Sequence, residues 1–443
     1  MFLFNEFIFS LKKLTIFLYL FDLLLFRLPS FYILPNNPIL TSHNLATYIL
    51  ILLFLFSISL IIKKEEKLNC DWALLVFVLF YFVTQSFSIV GSINLFDFLN
   101  VYKNIALGIM FFLTSLVFLK SKHLRILITL LIASIGLNLI YQFGFYLNLL
   151  PQRLLETILY EKYLRSIEIR AAHGKYFIEI IDGALLLYIF YFIKTLEFRK
   201  IIEKILLILL AALSFYAAVI SNYRTILLMS FFSILFGCIF FFKRKGIIVI
   251  ITLLVALIFF GKSFSISKLQ STSVERLISP TDHDFITINS RFYYWSKAIE
   301  MGSAFPLTGI GLGNYYDYLS DKETIINSVF EWKNDLMRIT SIHPHNILFA
   351  SFAESGLLGF LSFILLIGYF LIYDLKFLSR YSSLININKN IILITMVSFW
   401  TLFFYSLVGS GYGLGFQILF WLLRAICNRF MKTLLFTRSR YIL

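Results

Sequence analysis

Long apolar runs alternate with short polar connections along the whole chain. Twelve of these runs have roughly the length of a membrane-spanning helix, which needs about 20 residues. They cover residues 14–34, 45–62, 72–90, 101–119, 126–149, 176–193, 205–221, 225–242, 247–261, 346–372, 390–408 and 412–427. The pattern predicts an all-α polytopic membrane protein with about 12 transmembrane helices.

The connections between these runs differ in charge. Basic connections lie at 63–67, 120–125, 194–204, 243–245, 374–389 and from Arg424 onward, whereas 35–44, 91–100 and 409–413 contain no Lys or Arg. Short basic connections stay in the cytoplasm. The alternation therefore predicts that both termini are cytoplasmic.

Two polar segments break the charge rule, and both fall on the predicted outer side. Residues 151–175 contain five basic residues, and we assign this segment no role. Residues 262–345 form one long outer loop, which is allowed because long loops cross the membrane largely regardless of charge. Within it, residues 289–301 predict a helix with Phe292, Trp295 and Ile299 on one apolar face. The loop is therefore predicted to be folded.

Composition narrows the class of protein further. The chain is 60% hydrophobic and only 14% charged, which excludes a cytosolic globular protein. A net charge of +15 would suggest nucleic acid in a soluble chain, but here Lys and Arg cluster in short connections and act as topology signals. We predict membrane lipid as a partner and no nucleic acid. The three cysteines are isolated and are interpreted as small buried residues.

The chain divides into three regions by this pattern. Residues 1–204 form N-terminal transmembrane helices. Residues 205–372 contain the long loop 262–345 and the polar residues considered next. Residues 373–443 form C-terminal transmembrane helices and a basic cytoplasmic tail.

His345 is the strongest candidate for chemistry. Pro344 suits the first position of a helix, which would place His345 in the opening turn of the span that begins at 346. A helix N-terminus disfavours a charged imidazole, so this side chain should stay neutral and able to accept a proton. A histidine that merely caps a membrane helix has the same pattern. His343 is interpreted as a neighbour of this group.

Two arginines complete the candidate set. Arg224 is the one charged residue between 205 and 242, at the outer end of a hairpin, where a guanidinium can grip a phosphate or simply reach water. Arg291 begins the aromatic stretch that contains Tyr294 and Trp295, a composition that suits a phosphate-linked sugar or an interfacial helix.

Two other polar motifs are interpreted without a catalytic role. The glycines at 309, 311 and 313 are expected to form a tight turn in preference to an anion site. The stretch Asp282-His283-Asp284 is expected to be solvated, so we predict no metal.

These motifs resemble those of the O-antigen ligase and O-antigen polymerase superfamily. The resemblance covers roughly residues 205–372 and rests on Arg291 with Trp295, on the Pro-Leu-Thr-Gly-Ile-Gly-Leu-Gly turn at 306–313, and on His345-Asn346 followed after nine residues by Gly356-Leu357-Leu358-Gly359. The last element is the most specific of these. The spans before residue 205 contain no matching motif.

The resemblance implies a metal-independent, inverting glycosyltransferase without a cofactor, located in the bacterial inner membrane with its active site facing the periplasm. Its donor would be a glycan on undecaprenyl diphosphate, and its acceptor a lipid A–core sugar for a ligase or another lipid-linked glycan for a polymerase. By position, His345 would be the general base, and Arg224 and Arg291 would hold the diphosphate. His343, Tyr294, Trp295 and Asn346 would line the substrate site.

Two other classes of function stay open on the sequence alone. A lipid-glycan flippase or transporter would need ionisable groups in mid-membrane, where Asp22, Arg27, Glu179 and Asp182 are the few candidates. A non-catalytic partner in a polysaccharide-assembly machinery would tolerate the loss of His345. Lipid-sugar transferases with an acidic pair in the first outer loop are disfavoured, because residues 35–44 contain no Asp or Glu.

The topology can be tested with reporter fusions. A reporter joined at Arg244 should be active in the cytoplasm and one joined at Lys322 in the periplasm, because a basic connection and the long loop lie on opposite sides. If both reporters are active on the same side of the membrane, the predicted topology is wrong.

Overall fold

The computed structural model of the chain describes residues 2–28, 31, 33, 41–66, 68, 70–146, 180–195, 201–220, 228–233, 235–236, 282–322, 344–380, 389–409 and 411–437. The regular elements in these ranges are helices. In chain order they are α1 (Phe2–Arg27), α2 (Ser42–Ile62), α3 (Trp72–Phe87), a short 3-10 helix (Ser88–Gly91), α4 (Leu95–Phe118), α5 (Ser121–Tyr146), α6 (Ile180–Thr195), α7 (Ile201–Ile220), α8 (Asp282–Ala304), α9 (Tyr315–Lys322), α10 (Ile347–Arg380), α11 (Lys389–Ser406) and α12 (Leu414–Thr437).

Six of the described helices are long and apolar enough to cross a membrane. They are Ser42–Ile62, Trp72–Gly91, Leu95–Phe118, Ser121–Ile140, Ile347–Arg380 and Lys389–Ser406. Each coincides with a span predicted from the sequence, which supports a polytopic helical membrane protein. Of the predicted span 225–242, residues 228–233 and 235–236 are described, and the predicted span 247–261 lies outside the described residues. The total of about 12 spans stays a prediction.

The chain folds into two compact units. The first unit comprises residues 1–67, 113–281 and 390–402. Its helices are joined by buried hydroxyl contacts, such as Tyr19 Oη with Ser115 Oγ at 2.6 Å and Tyr188 Oη with Thr395 Oγ1 at 2.7 Å. Asp22 is fully buried here, and its carboxylate oxygens have no hydrogen-bond partner within the described ranges.

The second unit comprises residues 68–112, 282–389 and 403–443 and contains the candidate site. Its centre is α10, a helix of 34 residues. Helix α3 packs along it, with a hydroxyl contact between Thr84 Oγ1 and Ser362 Oγ at 2.6 Å. Trp421 of α12 is 1% exposed and packs edge-on against Phe112 and Phe370. Small polar and large aromatic side chains thus alternate in the core, as expected where helices meet within a bilayer.

A buried ion pair ties α10 to α12. Arg424 Nη1 donates to both carboxylate oxygens of Asp374 at 2.8 Å, and its guanidinium lies 4.3 Å from the centre of the Phe370 ring. The sequence prediction placed Arg424 at the start of a basic tail, and that placement is wrong. Helix α12 continues to Thr437, and Arg424 is 0% exposed because its charge is neutralised inside the unit.

Polar contacts join several connecting segments of the second unit. The Asn314 side chain contacts Asn94, and Asn104 Nδ2 donates to the carbonyl of Tyr412 at 3.1 Å. Lys432 Nζ donates to the carbonyl of Cys70 at 2.7 Å. The side of the membrane on which each segment lies stays a prediction.

Candidate functional site

The turn at Pro306–Gly313 is docked on the backbone of α10. Ile310 N–H donates to the carbonyl of Ala353, Gly311 N–H to that of Glu354, each at 3.0 Å, and Leu357 N–H donates to the carbonyl of Pro306 at 2.7 Å. A regular helix would use the Leu357 amide and the Ala353 carbonyl for one internal bond. The kink at Gly356 breaks that bond. The Leu357 amide and the Ala353 carbonyl then form hydrogen bonds with the turn instead.

Two glycines make this docking possible. Gly356 has φ +63° and ψ −166°, a conformation that is essentially restricted to glycine, and a Cβ there would lie 2.6 Å from the carbonyl carbon of Leu307. Gly309 has φ +67°, and a Cβ there would lie 2.6 Å from the Gly356 nitrogen. The two backbones therefore touch without side chains between them. The amides of Gly309 and Gly311 are used inside the protein, which supports the tight-turn interpretation over an anion site.

The other side of the turn is held by Asn314, which is fully buried. Its Oδ1 accepts from the Asn94 amide and from Ser92 Oγ, and its Nδ2 donates to the carbonyls of Asn94 and Leu312. The Asn314 side chain thus forms hydrogen bonds with the segment that connects the 3-10 helix to α4. The turn is therefore held by this segment on one side and by α10 on the other.

Helix α8 packs on the turn through a different face from the one predicted. Tyr294, Ala298 and Met301, spaced i, i+4 and i+7, are buried with Ile310, Tyr315, Tyr318, Leu319 and Ala353. The predicted face was Phe292, Trp295 and Ile299, but Phe292 is 60% and Ile299 is 49% exposed. The predicted helix is confirmed, but two adjacent apolar stripes share the helical spacing, and the stripe that contains the small Ala298 is the one that packs on the turn.

The His345 segment is attached to α8 by Trp295. Its indole N–H donates to the carbonyl of Pro344 at 2.7 Å, and its ring stacks on Phe349 with centroids 5.1 Å apart. Arg291 lies one turn earlier on the same side of α8, because residues i and i+4 share a helix face. The structure therefore brings Arg291, Trp295 and His345 to one region.

The start of α10 differs from the prediction. The helix begins at Ile347, and Asn346 is its N-cap, with Oδ1 accepting from the amide of Leu348 at 2.9 Å. His345 therefore lies before the cap, not in the first turn, and Pro344 is not a first helical residue. Asn346 is the better cap because its side-chain oxygen accepts a hydrogen bond from the Leu348 amide, whereas a proline at the start of a helix offers no such acceptor.

His345 itself has φ +50°. This left-handed conformation is uncommon outside glycine, although histidine is one of the residues enriched there. Such backbone strain persists only where neighbouring structure enforces it, and it is common at functional sites. The Trp295 bond on one side and the Asn346 cap on the other supply that enforcement.

The remaining predicted site residues are placed as follows. Tyr294 is 8% exposed, and its burial raises the pKa of its hydroxyl, so it is a neutral member of the core next to the site. Arg224 and His343 lie outside the described residues. The backbone of Asp282, His283 and Asp284 forms the first turn of α8, and their side chains are not among those described.

Sequence reasoning missed Glu354 and Gln85. Glu354 is 3% exposed in the second turn of α10. Gln85 is 1% exposed; its Oε1 accepts from Ser355 Oγ at 2.6 Å and its Nε2 donates to the carbonyl of Gly359 at 3.4 Å. A lone acid within an apolar span was a visible signal for Glu354, whereas nothing local distinguishes Gln85.

We expect Gly309→Ala to destabilise the protein by about 1–3 kcal/mol, because the substitution adds backbone strain and a clash with α10. Gly368→Ala on α10 is the matched control, since a Cβ there meets nothing within 4 Å. Thermal unfolding in detergent, measured for both variants, checks the difference. Equal midpoints would mean that the turn is not docked as described.

Comparison with known proteins adds one finding. Residues 209–364 match the family model described as O-antigen ligase. No curated protein matches the chain. The match confirms the resemblance to the O-antigen ligase and O-antigen polymerase superfamily over nearly the same residues that the motifs indicated, and it includes the turn, Arg291, His345 and the kink of α10.

Proposed function

Because residues 209–364 match the O-antigen ligase family, we propose that this protein is an inner-membrane glycosyltransferase of the ligase type. It moves a glycan from undecaprenyl diphosphate to a hydroxyl of the lipid A–core. The active site faces the periplasm, and the protein needs no metal or other cofactor. Partners from a polysaccharide-assembly machinery are a further expected class.

The observation that supports this proposal best is the bond between Trp295 and the carbonyl of Pro344. It joins the helix that carries Arg291 to the segment that carries His345. A cation that holds a diphosphate and a base that accepts a proton are the two parts that such a transfer needs.

In the proposed reaction, the acceptor oxygen attacks the anomeric carbon from the side opposite the diphosphate. The bond between the anomeric carbon and the phosphate oxygen breaks, and its electron pair leaves with the lipid diphosphate. His345 takes the proton of the acceptor hydroxyl. Arg291 and Arg224 stabilise the charge that develops on the leaving group. Direct displacement inverts the anomeric centre.

The buried ionisable groups bear on the transporter alternative. Glu354, Asp374 and Arg424 are buried, as are Asp22 and Arg27. The described residues therefore contain more buried ionisable groups than the sequence indicated. A flippase would use such groups along a path through the membrane. Asp374 and Arg424 neutralise each other at 2.8 Å, which is the arrangement of a structural pair. We therefore favour the transferase.

We expect His345→Ala, Arg291→Ala and Arg224→Ala each to abolish glycan transfer while the protein still inserts. Loss of either arginine removes a charge-assisted contact to the leaving group, which costs about 2–4 kcal/mol of transition-state stabilisation, or roughly 10²–10³-fold in rate. Loss of the general base His345 costs roughly 10²–10⁴-fold. The measurement is transfer of a lipid-linked glycan to purified lipid A–core by the purified variants.

Two controls separate chemistry from folding. His345→Asn retains a residue that tolerates a positive φ but has no imidazole, so it should be as inactive as His345→Ala. Lys297→Ala removes a cation from another face of α8, where it pairs with Glu300 at 3.0 Å, and should stay active. Near-normal transfer by either His345 variant would exclude the general base. Activity should also survive EDTA; dependence on an added divalent metal would contradict the proposed mechanism.

The choice between ligase and polymerase rests on the acceptor. Deletion of the gene should remove all attached glycan, with polymer accumulating on the lipid carrier, when surface polysaccharide is separated on a gel. A single repeat that is still attached to the core would identify a polymerase instead. The uninterrupted His-Asn-x9-Gly-x-x-Gly element favours the ligase.

A further inference from the structure

Glu354 is a buried acid for which the proposed chemistry has no use. It lies in the second turn of α10, two residues before the kink at Gly356, and is 3% exposed. A buried carboxyl group is costly unless polar groups compensate it. An apolar side chain would fill the same space without that cost, so the carboxyl group itself must serve a purpose.

Glu354 lies beneath the docked turn, where its backbone carbonyl accepts from the Gly311 N–H at 3.0 Å. Its carboxyl group lies beside the backbone N–H groups of Gly313 and Tyr315 and the hydroxyl of Tyr412, and its Oε2 has no hydrogen-bond partner among the described residues. Gly313 ends the docked turn, Tyr315 begins α9, and Tyr412 lies in the connection between α11 and α12. One side chain thus meets three segments that are distant in sequence.

A second link continues from Tyr315 to the helix that carries Arg291. The Tyr315 hydroxyl donates to the carbonyl of Tyr294 on α8 at 2.6 Å. Tyr294 is three residues from Arg291 and adjacent to Trp295, whose indole holds the Pro344 carbonyl. A chain of polar contacts therefore runs from α10, through the start of α9, to α8 and back to the residue before His345.

We propose that Glu354 is a positioning residue that fixes the start of α10, with His345, relative to α8, with Arg291. This role rests on the proposed function for its effect on the reaction. Its structural half, the anchoring of Gly313 and Tyr315, stands independently of any activity. The carboxyl group does not touch the reacting atoms.

The structural half is tested by hydrogen exchange in the intact protein in nanodiscs. We expect Glu354→Ala to speed backbone exchange in peptides that cover residues 309–319 by about tenfold, the effect of losing one hydrogen-bond acceptor. Glu354→Gln keeps a carbonyl oxygen for the same amides and should remain within about threefold of wild type. Wild-type exchange in Glu354→Ala would overturn the anchoring role.

The catalytic half is tested by steady-state transfer with the same variants. Small misplacement of reacting groups lowers rates by as much as about 10²-fold. We therefore expect kcat of Glu354→Ala to fall on the order of 10²-fold with KM nearly unchanged, and Glu354→Gln to recover most of kcat. An equal loss in both variants, or a loss confined to KM, would overturn positioning.

Two further variants guard against simple misfolding. Ser351→Ala removes another buried polar group from the same helix, whose Oγ has no partner among the described residues, and it should leave exchange and kcat unchanged. Tyr315→Phe removes only the hydroxyl that reaches Tyr294 and should lower kcat in the same direction as Glu354→Ala. Wild-type kcat in Tyr315→Phe would break the proposed link. Absence of glycan transfer by the wild-type protein would overturn the proposed function. The hydrogen-exchange result would then still show whether Glu354 anchors Gly313 and Tyr315.

Discussion

The backbone contact between the Pro306–Gly313 turn and the kinked α10 is the constraint on which the candidate site depends. At the kink, one helical hydrogen bond is given up, and its donor and acceptor are both satisfied by the turn. The contact needs glycine on both sides, since a side chain at Gly309 or Gly356 would separate the two backbones. Helix α8, which carries Arg291, packs on this turn, and α10 carries His345 at its start. Main-chain contacts therefore hold together the elements that carry the two candidate groups.

Much of the fold could be predicted because lipid imposes a simple rule on sequence. A helix that crosses the bilayer must be apolar for about 20 residues, so runs such as 45–62 and 346–372 were visible without any structure. The glycines at 309 and 356 and the His345-Asn346 pair were visible as well. What the sequence did not show is that these motifs meet. A hydrogen bond between the backbones of residues 306 and 357 has no local signature in either segment.

The errors at the site share one physical cause, which is that spacing leaves rotation and register undetermined. Helix α8 has two apolar stripes with the same period, and the packing partner decided between them. At the start of α10, proline and asparagine both suit a helix N-terminus, and the side-chain oxygen of Asn346 proved to be the cap. Arg424 was assigned to water because it is basic, although Asp374 was close enough in the fold to neutralise it. In each case the sequence allowed two local arrangements, and only tertiary contacts decided which of them forms.

The length of α10 has a consequence for where the candidate site meets the membrane. Its large exposed apolar side chains begin at Leu357, directly after the kink, and end at Leu378. At 1.5 Å per residue this stripe is about 32 Å long, which is close to the hydrocarbon thickness of about 30 Å. With the kink at the edge of the hydrocarbon, the ten residues from Ile347 to Gly356 would extend about 15 Å beyond it. The headgroup layer adds only about 5–8 Å on each side of the hydrocarbon, so a segment of this length would carry His345 to the aqueous side of the headgroups.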